Sequence, residues 1–328
     1  MTGRDARLFS WTIGAAQRLM RDTQRLPHAL LLAGPRGLGK AALATRLTQV
    51  LTCVRPQDGT VACGTCQGCL LFGAGNHPDI RWIEPPEDKK VIAIDQIRAL
   101  GEFLQLRPHT ARYKIVVISP ADAMNIQAAN SLLKLLEEPP ADSLLLLVSS
   151  DPARLPATVR SRCQRVEFMI PARAEALSWL RAVEGFPADQ AELLLDLAGG
   201  APLRALTLQQ EGFLAVQSEL RADVEAIAAG KADPVACAAR WKSRGAQRCL
   251  EWLETAVMGL VRARMAPGTL ATSAAAQLQV AEKGLDLKKL FRFLDTVSGR
   301  RQVLAGSVDE LLLLEDVLIR WSRVARQK

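Results

Sequence analysis

No apolar run in this chain is long enough to cross a bilayer, which excludes a helical membrane span, and no membrane partner is expected. The N-terminal Met1-Thr2-Gly3-Arg4-Asp5 lacks the basic and apolar order of a secretory signal, so a cytoplasmic protein is expected. Low-complexity tracts and internal repeats are also missing, which argues against a disordered tail or a solenoid. Two further absences concern chemistry. The residue after Lys40 is Ala41, which has no hydroxyl, and the apolar stretch Val116-Val117-Ile118 runs into Ser119-Pro120, which has no carboxylate.

What is present supports a folded chain of more than one domain. Its 328 residues exceed one ordinary core, and 49% of them are hydrophobic, which is ample for burial. A net charge of +8 and a pI of about 9.3 permit contact with nucleic acid or acidic partners without requiring either. Four of the seven cysteines cluster between residues 53 and 69. In a cytoplasmic chain of this size such a cluster points to metal rather than disulfides.

Apolar segments alternate with helical patterns in the N-terminal half. A helix is expected over 7–26 and strands at 29–32, 80–83, 113–118 and 144–148, with extended backbone at 91–94. Helices are expected at 41–51, 96–106, with Asp95 as its N-cap, and 128–137, with Asp122 as a cap before it. This order implies βα units and a parallel sheet. Beyond Pro171 no convincing strand is legible. Helices over 172–183, 189–198 and 308–326 bracket a largely helical remainder, with breaks near Gly230, Asp233-Pro234, Gly245, Pro267-Gly268 and Gly306. The expected domains are 1–167, an α/β module with a cysteine insertion, a small helical lid at 168–207, and a helical region at 208–328.

Ala29 to Leu32 runs into Gly34-Pro35-Arg36-Gly37-Leu38-Gly39-Lys40, which has the strand, glycines, lysine and following helix of a phosphate loop. Such a loop holds Mg²⁺ through a Ser or Thr after the lysine, and Ala41 offers no oxygen. Hydrolysis also needs carboxylates at a strand end to hold the metal and activate water; Ser119-Pro120 supplies neither. Two independent defects predict that the chain does not hydrolyse ATP, and leave nucleotide binding at Gly34, Gly37, Gly39 and Lys40 doubtful.

Cys53, Cys63, Cys66 and Cys69 stand at C-x9-C-x2-C-x2-C spacing, which predicts a closed, structural zinc site. His77 is expected to be a turn residue. Cys163, Cys237 and Cys249 are isolated and are expected to be ordinary semi-buried residues. The stretch Val61 to Cys69 carries neither basic nor aromatic residues, which argues against a zinc module that reads DNA directly.

Ala128-Ala-Asn-Ser-Leu-Leu-Lys-Leu-Leu-Glu-Glu-Pro-Pro140 and Thr158-Val-Arg-Ser-Arg-Cys163 resemble the bacterial clamp-loader family of the AAA+ superfamily. Arg25 to Pro35 and the four-cysteine insertion resemble it too. The resemblance implies an αβα P-loop domain, an all-α lid and an all-α collar, in a pentameric ring with gamma or tau motor subunits and a delta subunit. That ring belongs to the DNA polymerase III holoenzyme and places the sliding clamp on primed-template DNA, so the clamp and the DNA are implied as indirect partners. The motor subunits keep an intact phosphate loop and acidic pair, and this chain departs at both. The resemblance therefore implies a non-hydrolysing member, whose Arg162 would act as an arginine finger in a neighbour's ATP site. An active gamma/tau-type ATPase is the alternative. Arg204 stands where the family has a second sensor; a structural ion pair is the other reading.

Overall fold

A computed structural model describes residues 6–21, 23, 25–87, 89–183, 185–265, 278, 286–304 and 308–325. The chain divides into two compact units, Met1–Pro171 and Ala172–Lys328.

The first unit is built on five parallel strands: β1 (Ala29–Ala33), β2 (Ile80–Ile83), β3 (Lys114–Ile118), β4 (Ser143–Ser149) and β5 (Gln164–Glu167), in the order β2-β3-β4-β1-β5. The inner strands are apolar on both faces because helices cover both. The set Leu31, Val116, Ile118, Leu145 and Leu147 packs with Leu100 of α4 (Ile94–Gln105) and Leu132 of α5 (Ile126–Glu137). The helix α2 (Lys40–Thr52) touches β1 and β4. The unit also holds α1 (Ser10–Met20), α3 (Gln67–Gly73) and the single turn α6 (Ala157–Arg160). Phosphate-loop chemistry belongs at the carboxyl ends of such strands, and the loop leaves β1 there, with Ser149 of β4 in register with Ala33.

Far along the chain from the loop, Asp79 and Lys114 form a buried ion pair, Nζ to Oδ1 at 2.9 Å. The carboxylate also accepts the N–H groups of His109, Thr110 and Ala111 at 2.7, 2.8 and 2.9 Å. Burial alone would raise this carboxyl's pKa; the three N–H donors and Lys114 outweigh it and hold it well below the usual carboxylate range. A carboxyl lowered on folding stabilises the fold above its unfolded pKa near ~4, and that contribution fades as pH falls through the lower folded value. We expect Asp79→Ala to cost about 3–5 kcal/mol, because Lys114 is left as a buried unpaired charge. Adding Lys114→Met should recover part of that loss in denaturant titrations of the N-terminal unit. Additive losses would show that the pair is not coupled.

The second unit contains only helices among its described residues: α7 (Arg173–Ala182), α8 (Ala191–Leu197), α9 (Pro202–Gln210), α10 (Phe213–Ala228), α11 (Pro234–Arg244), α12 (Ala246–Met265), α13 (Leu287–Val303) and α14 (Glu310–Ala325). One apolar core runs from Ala176 through Trp241 to Trp321. Trp321 is fully buried, and its Nε1 donates to the Val224 carbonyl at 2.9 Å. The expected breaks at Gly230, Asp233-Pro234 and Gly245 fall between helices. Those at Pro267-Gly268 and Gly306, and the end of the last helix at 326, lie outside the described residues.

Several local expectations need correction. The first helix is shorter than 7–26, because Phe9 is its N-cap and Thr12 Oγ1 accepts the Phe9 N–H. Asp95 does not cap α4. Ala93 does, and its N–H is taken by the Gln96 side chain at 3.1 Å, so Asp95 lies inside the first turn. Asp122 does not cap α5. Asn125 accepts the Ala128 N–H there, while Asp122 accepts the N–H of Ser150 at 2.9 Å. Three of the labelled elements were not anticipated: α3 inside the cysteine segment, the single turn α6 and the edge strand β5.

Candidate functional site

The phosphate loop has the expected backbone, and much of it is explained without a ligand. Gly34 (φ 149°) must be Gly, because a Cβ there would stand 2.4 Å from the Phe168 carbonyl oxygen that follows β5. Gly39 (φ 84°) is the left-handed residue that opens α2, and a Cβ there would sit 2.7 Å from the Phe9 ring. Phe9 stacks on Trp11 with centroids 5.1 Å apart, and Trp11 Nε1 donates to the Leu38 carbonyl at 3.1 Å. An aromatic pair at the start of α1 thus lies against the loop.

Lys40 is buried and turns inward. Its Nζ donates to the carbonyls of Gly34 at 2.7 Å and Pro35 at 2.6 Å. Burial pushes its pKa down to about 8. Ala41 follows with no metal-binding oxygen, and β3 ends at Ser119-Pro120. The nearby carboxylate of Asp122 is engaged by the Ser150 N–H. Ala41 supplies no hydroxyl, and Ser119-Pro120 supplies no carboxylate. Beside the loop, Ser149 Oγ is buried with no hydrogen-bond partner among the described residues. Sequence reading passed over it, although a polar residue closing a buried strand next to a phosphate loop is a recognisable signal.

Cys53, Cys63, Cys66 and Cys69 converge, with all four sulfurs within 4.8 Å of one another. Cys53 caps the end of α2 and Cys66 the start of α3. The Cys63 and Cys69 sulfurs lie 3.9 Å apart, close to the ~3.8 Å separation that tetrahedral thiolates make around a metal at ~2.3 Å. The N–H of Cys63 points at Cys53 Sγ (3.2 Å) and that of Cys66 at Cys63 Sγ (3.4 Å). Backbone N–H groups of Thr65 and Cys66 pull the Cys63 thiol down to about 6, while burial pushes Cys69 up to about 12. The cluster can hold a metal ion, and its donor set suits a closed site. Gly68 lets α3 sit on the end of α2, since a Cβ there would stand 2.1 Å from the Thr52 carbonyl oxygen.

His77 stays out of the cluster: its Nδ1 accepts the Asp79 N–H at 3.1 Å and its Nε2 lies 3.5 Å from Thr110 Oγ1. Cys163, Cys237 and Cys249 are separate from one another and buried, more deeply than expected.

Arg162 follows the turn of α6. Its side chain is 37% exposed, and Nη2 pairs with Glu137 Oε1 at 2.8 Å. Its Nη1 donates to the Thr158 carbonyl at 3.0 Å. In the second unit, Arg204 Nη2 pairs with Glu251 Oε2 at 2.8 Å, a largely buried link from α9 to α12. The structural reading of Arg204 therefore has a partner.

A family model described as DNA polymerase III, delta subunit, matches residues 15–171, and a second, described as its C-terminal part, matches residues 211–323. The chain is 36% identical over 314 residues to DNA polymerase III subunit delta' of Pseudomonas aeruginosa, covering 90% of this chain and 92% of that one. It is 33% identical over 259 residues to the delta' subunit of Escherichia coli, covering 78% and 77%. A shorter match, 37% identical over 139 residues, links 42% of this chain to 20% of the tau/gamma subunit of Haemophilus influenzae. By its matches over nearly the whole length of such relatives, the chain belongs to the DNA polymerase III delta-prime subunit family.

Proposed function

We propose that this chain is the non-hydrolysing member of a clamp-loader ring and that it completes the ATP site of a neighbouring motor subunit with Arg162. One observation carries the reading. In a single unit, the chain's own phosphate loop is closed on itself by Lys40, while Arg162 keeps a half-exposed guanidinium. A guanidinium is always charged and presents forked donors suited to a phosphoryl group. Charge of that kind stabilises the transition state of phosphoryl transfer even when it comes from another subunit.

The partners in this reading are gamma or tau and delta in a pentameric ring, with the sliding clamp and primed-template DNA engaged through the assembly. Any DNA contact would then be with phosphates, salt-sensitive and indifferent to sequence. Residues 168–207 would serve as a lid and 208–328 as the collar that holds the ring. The second family model, starting at residue 211, supports that last boundary. The continuous core from Ala176 to Trp321 would then make lid and collar one cooperative body. The ion in the cysteine cluster would be zinc, with a structural role.

The match to a tau/gamma subunit keeps an active motor as the rival reading. Purified chain should show no ATP turnover above background, with or without primed DNA. In the assembled complex, Lys40→Ala should leave stimulated ATPase and clamp loading within about twofold of wild type. ATP turnover by the pure chain, abolished by Lys40→Ala, would support the motor instead.

A further inference from the structure

We infer that Glu137 is a positioning residue for Arg162, holding the guanidinium in the orientation in which it meets the neighbour's nucleotide; this rests on the reading of Arg162 as an arginine finger.

The anchor is a two-point grip. Arg162 follows a helix of only four residues, α6, so its own backbone gives the side chain little support. One arm of the fork, Nη1, is fixed by the Thr158 carbonyl, one turn back. The other, Nη2, is fixed by Glu137 at the last turn of α5. α5 is itself well anchored, with Asn125 capping its start and Ala128, Ala129, Leu132 and Leu136 buried against the sheet. The carboxylate therefore refers the guanidinium to the rigid part of the unit rather than to the turn that carries it.

The grip leaves part of the fork available. A guanidinium has five N–H donors. One goes to Thr158, one to Glu137, and Nη1 makes a long 3.5 Å contact with Ser161 Oγ. The others have no partner among the described residues and remain for a phosphate oxygen. A pair with side chains 37% and 50% exposed is weak, on the order of 0–1 kcal/mol, so it orients the arginine without competing strongly with a phosphate for it. Its value would lie in catalysis, where misplacement by about 1 Å costs on the order of 10²-fold. The same geometry could instead park the arginine away from the neighbour, and the two roles predict opposite changes in rate.

The test uses the reconstituted ring with primed DNA and clamp. Glu137→Ala should lower the turnover rate of the neighbouring site by about tenfold or more, with ATP affinity unchanged within twofold. Glu137→Gln, which keeps an acceptor at that position, should recover most of the rate. In an Arg162→Ala background, Glu137→Ala should add nothing, since it acts only through Arg162. Glu138→Ala, which leaves the pair intact, should behave as wild type. Unaltered zinc content and unfolding midpoint would exclude general damage to the fold. A normal or raised rate for Glu137→Ala, alongside a depressed rate for Arg162→Ala, would overturn the positioning role and leave the finger standing. Equal losses for Glu137→Ala in the presence and absence of Arg162 would also overturn it. If Arg162→Ala itself changed nothing, the finger and its positioning residue would fall together.

Discussion

A complex rebuilt with Arg162→Ala in this subunit should assemble normally, keep its metal and load clamps poorly. The expected defect is confined to one nucleotide site. Removing a guanidinium that stabilises the phosphoryl-transfer transition state typically lowers turnover by about 10³-fold or more. If the other motor sites of the proposed ring carry arginines of their own, bulk ATPase should fall only partway. Clamp loading should fall further if the sites act in concert. Arg162→Lys should rescue little, because an ammonium supplies charge without the fork. Arg160 lies two residues away, at the end of α6, and is the natural control. The fold gives no reason for Arg162→Ala to be destabilising. The side chain is half exposed and its pair with Glu137 lies at the surface. Normal loading and normal ATPase in that complex would reduce this subunit to a structural part.

The second large effect concerns the cysteine cluster. Protein purified without added metal should carry one zinc per chain, and replacing Cys66 with Ser should remove most of it. The module has little else to hold it. Val54, Val61 and Leu70 are exposed, and among the four clustered cysteines only Cys53 is buried. A segment with so small a core would depend on a metal held by these cysteines, since structural zinc sites in small peptides are worth roughly 10–16 kcal/mol of apparent binding free energy. Loss of zinc should therefore speed hydrogen exchange of amides at 53–73, while the inner strands β3 and β4 remain protected. The tight seat of Gly68 on the Thr52 carbonyl should loosen with it. A zinc content near zero in the purified protein, with the same amides still protected, would contradict a metal-held module.

The sheet was legible because its inner strands are continuous apolar runs, which β-type burial on both faces demands. β1, β3 and β4 fall within a residue or so of where the sequence puts them. β5 was not legible for the opposite reason. Gln164-Arg165-Val166-Glu167 buries only Val166 and owes its place at the edge to pairing with β1. α3 was hidden by its small residues, which read as turns between cysteines. The two misplaced caps share a cause. Asp95 and Asp122 are good capping residues, but Gln96 had already met the open N–H at α4, and Asp122 was captured by the N–H of Ser150, just past the end of β4. Local propensity gives no warning of a distant competitor.

At the site, residue identity carried the chemistry that could be read: Ala41, Ser119-Pro120 and the cysteine spacing. Geometry carried the rest. That Lys40 folds back onto the loop carbonyls, that Phe9 and Trp11 lie against the loop, and that Glu137 grips Arg162 all depend on contacts between separate elements. Those contacts also change the meaning of the motif. Gly34 and Gly39 are required by Phe168 and Phe9, so their presence says little about nucleotide.

The most direct test counts ATP. Rings containing wild-type chain, Lys40→Ala or Arg162→Ala are loaded with nucleotide, mixed with primed DNA and clamp, and the rapid burst of hydrolysis per ring is measured. A subunit that lends an arginine and hydrolyses nothing should give equal bursts for wild type and Lys40→Ala, and a burst smaller by one site for Arg162→Ala. A burst reduced by Lys40→Ala, or unchanged by Arg162→Ala, would contradict it.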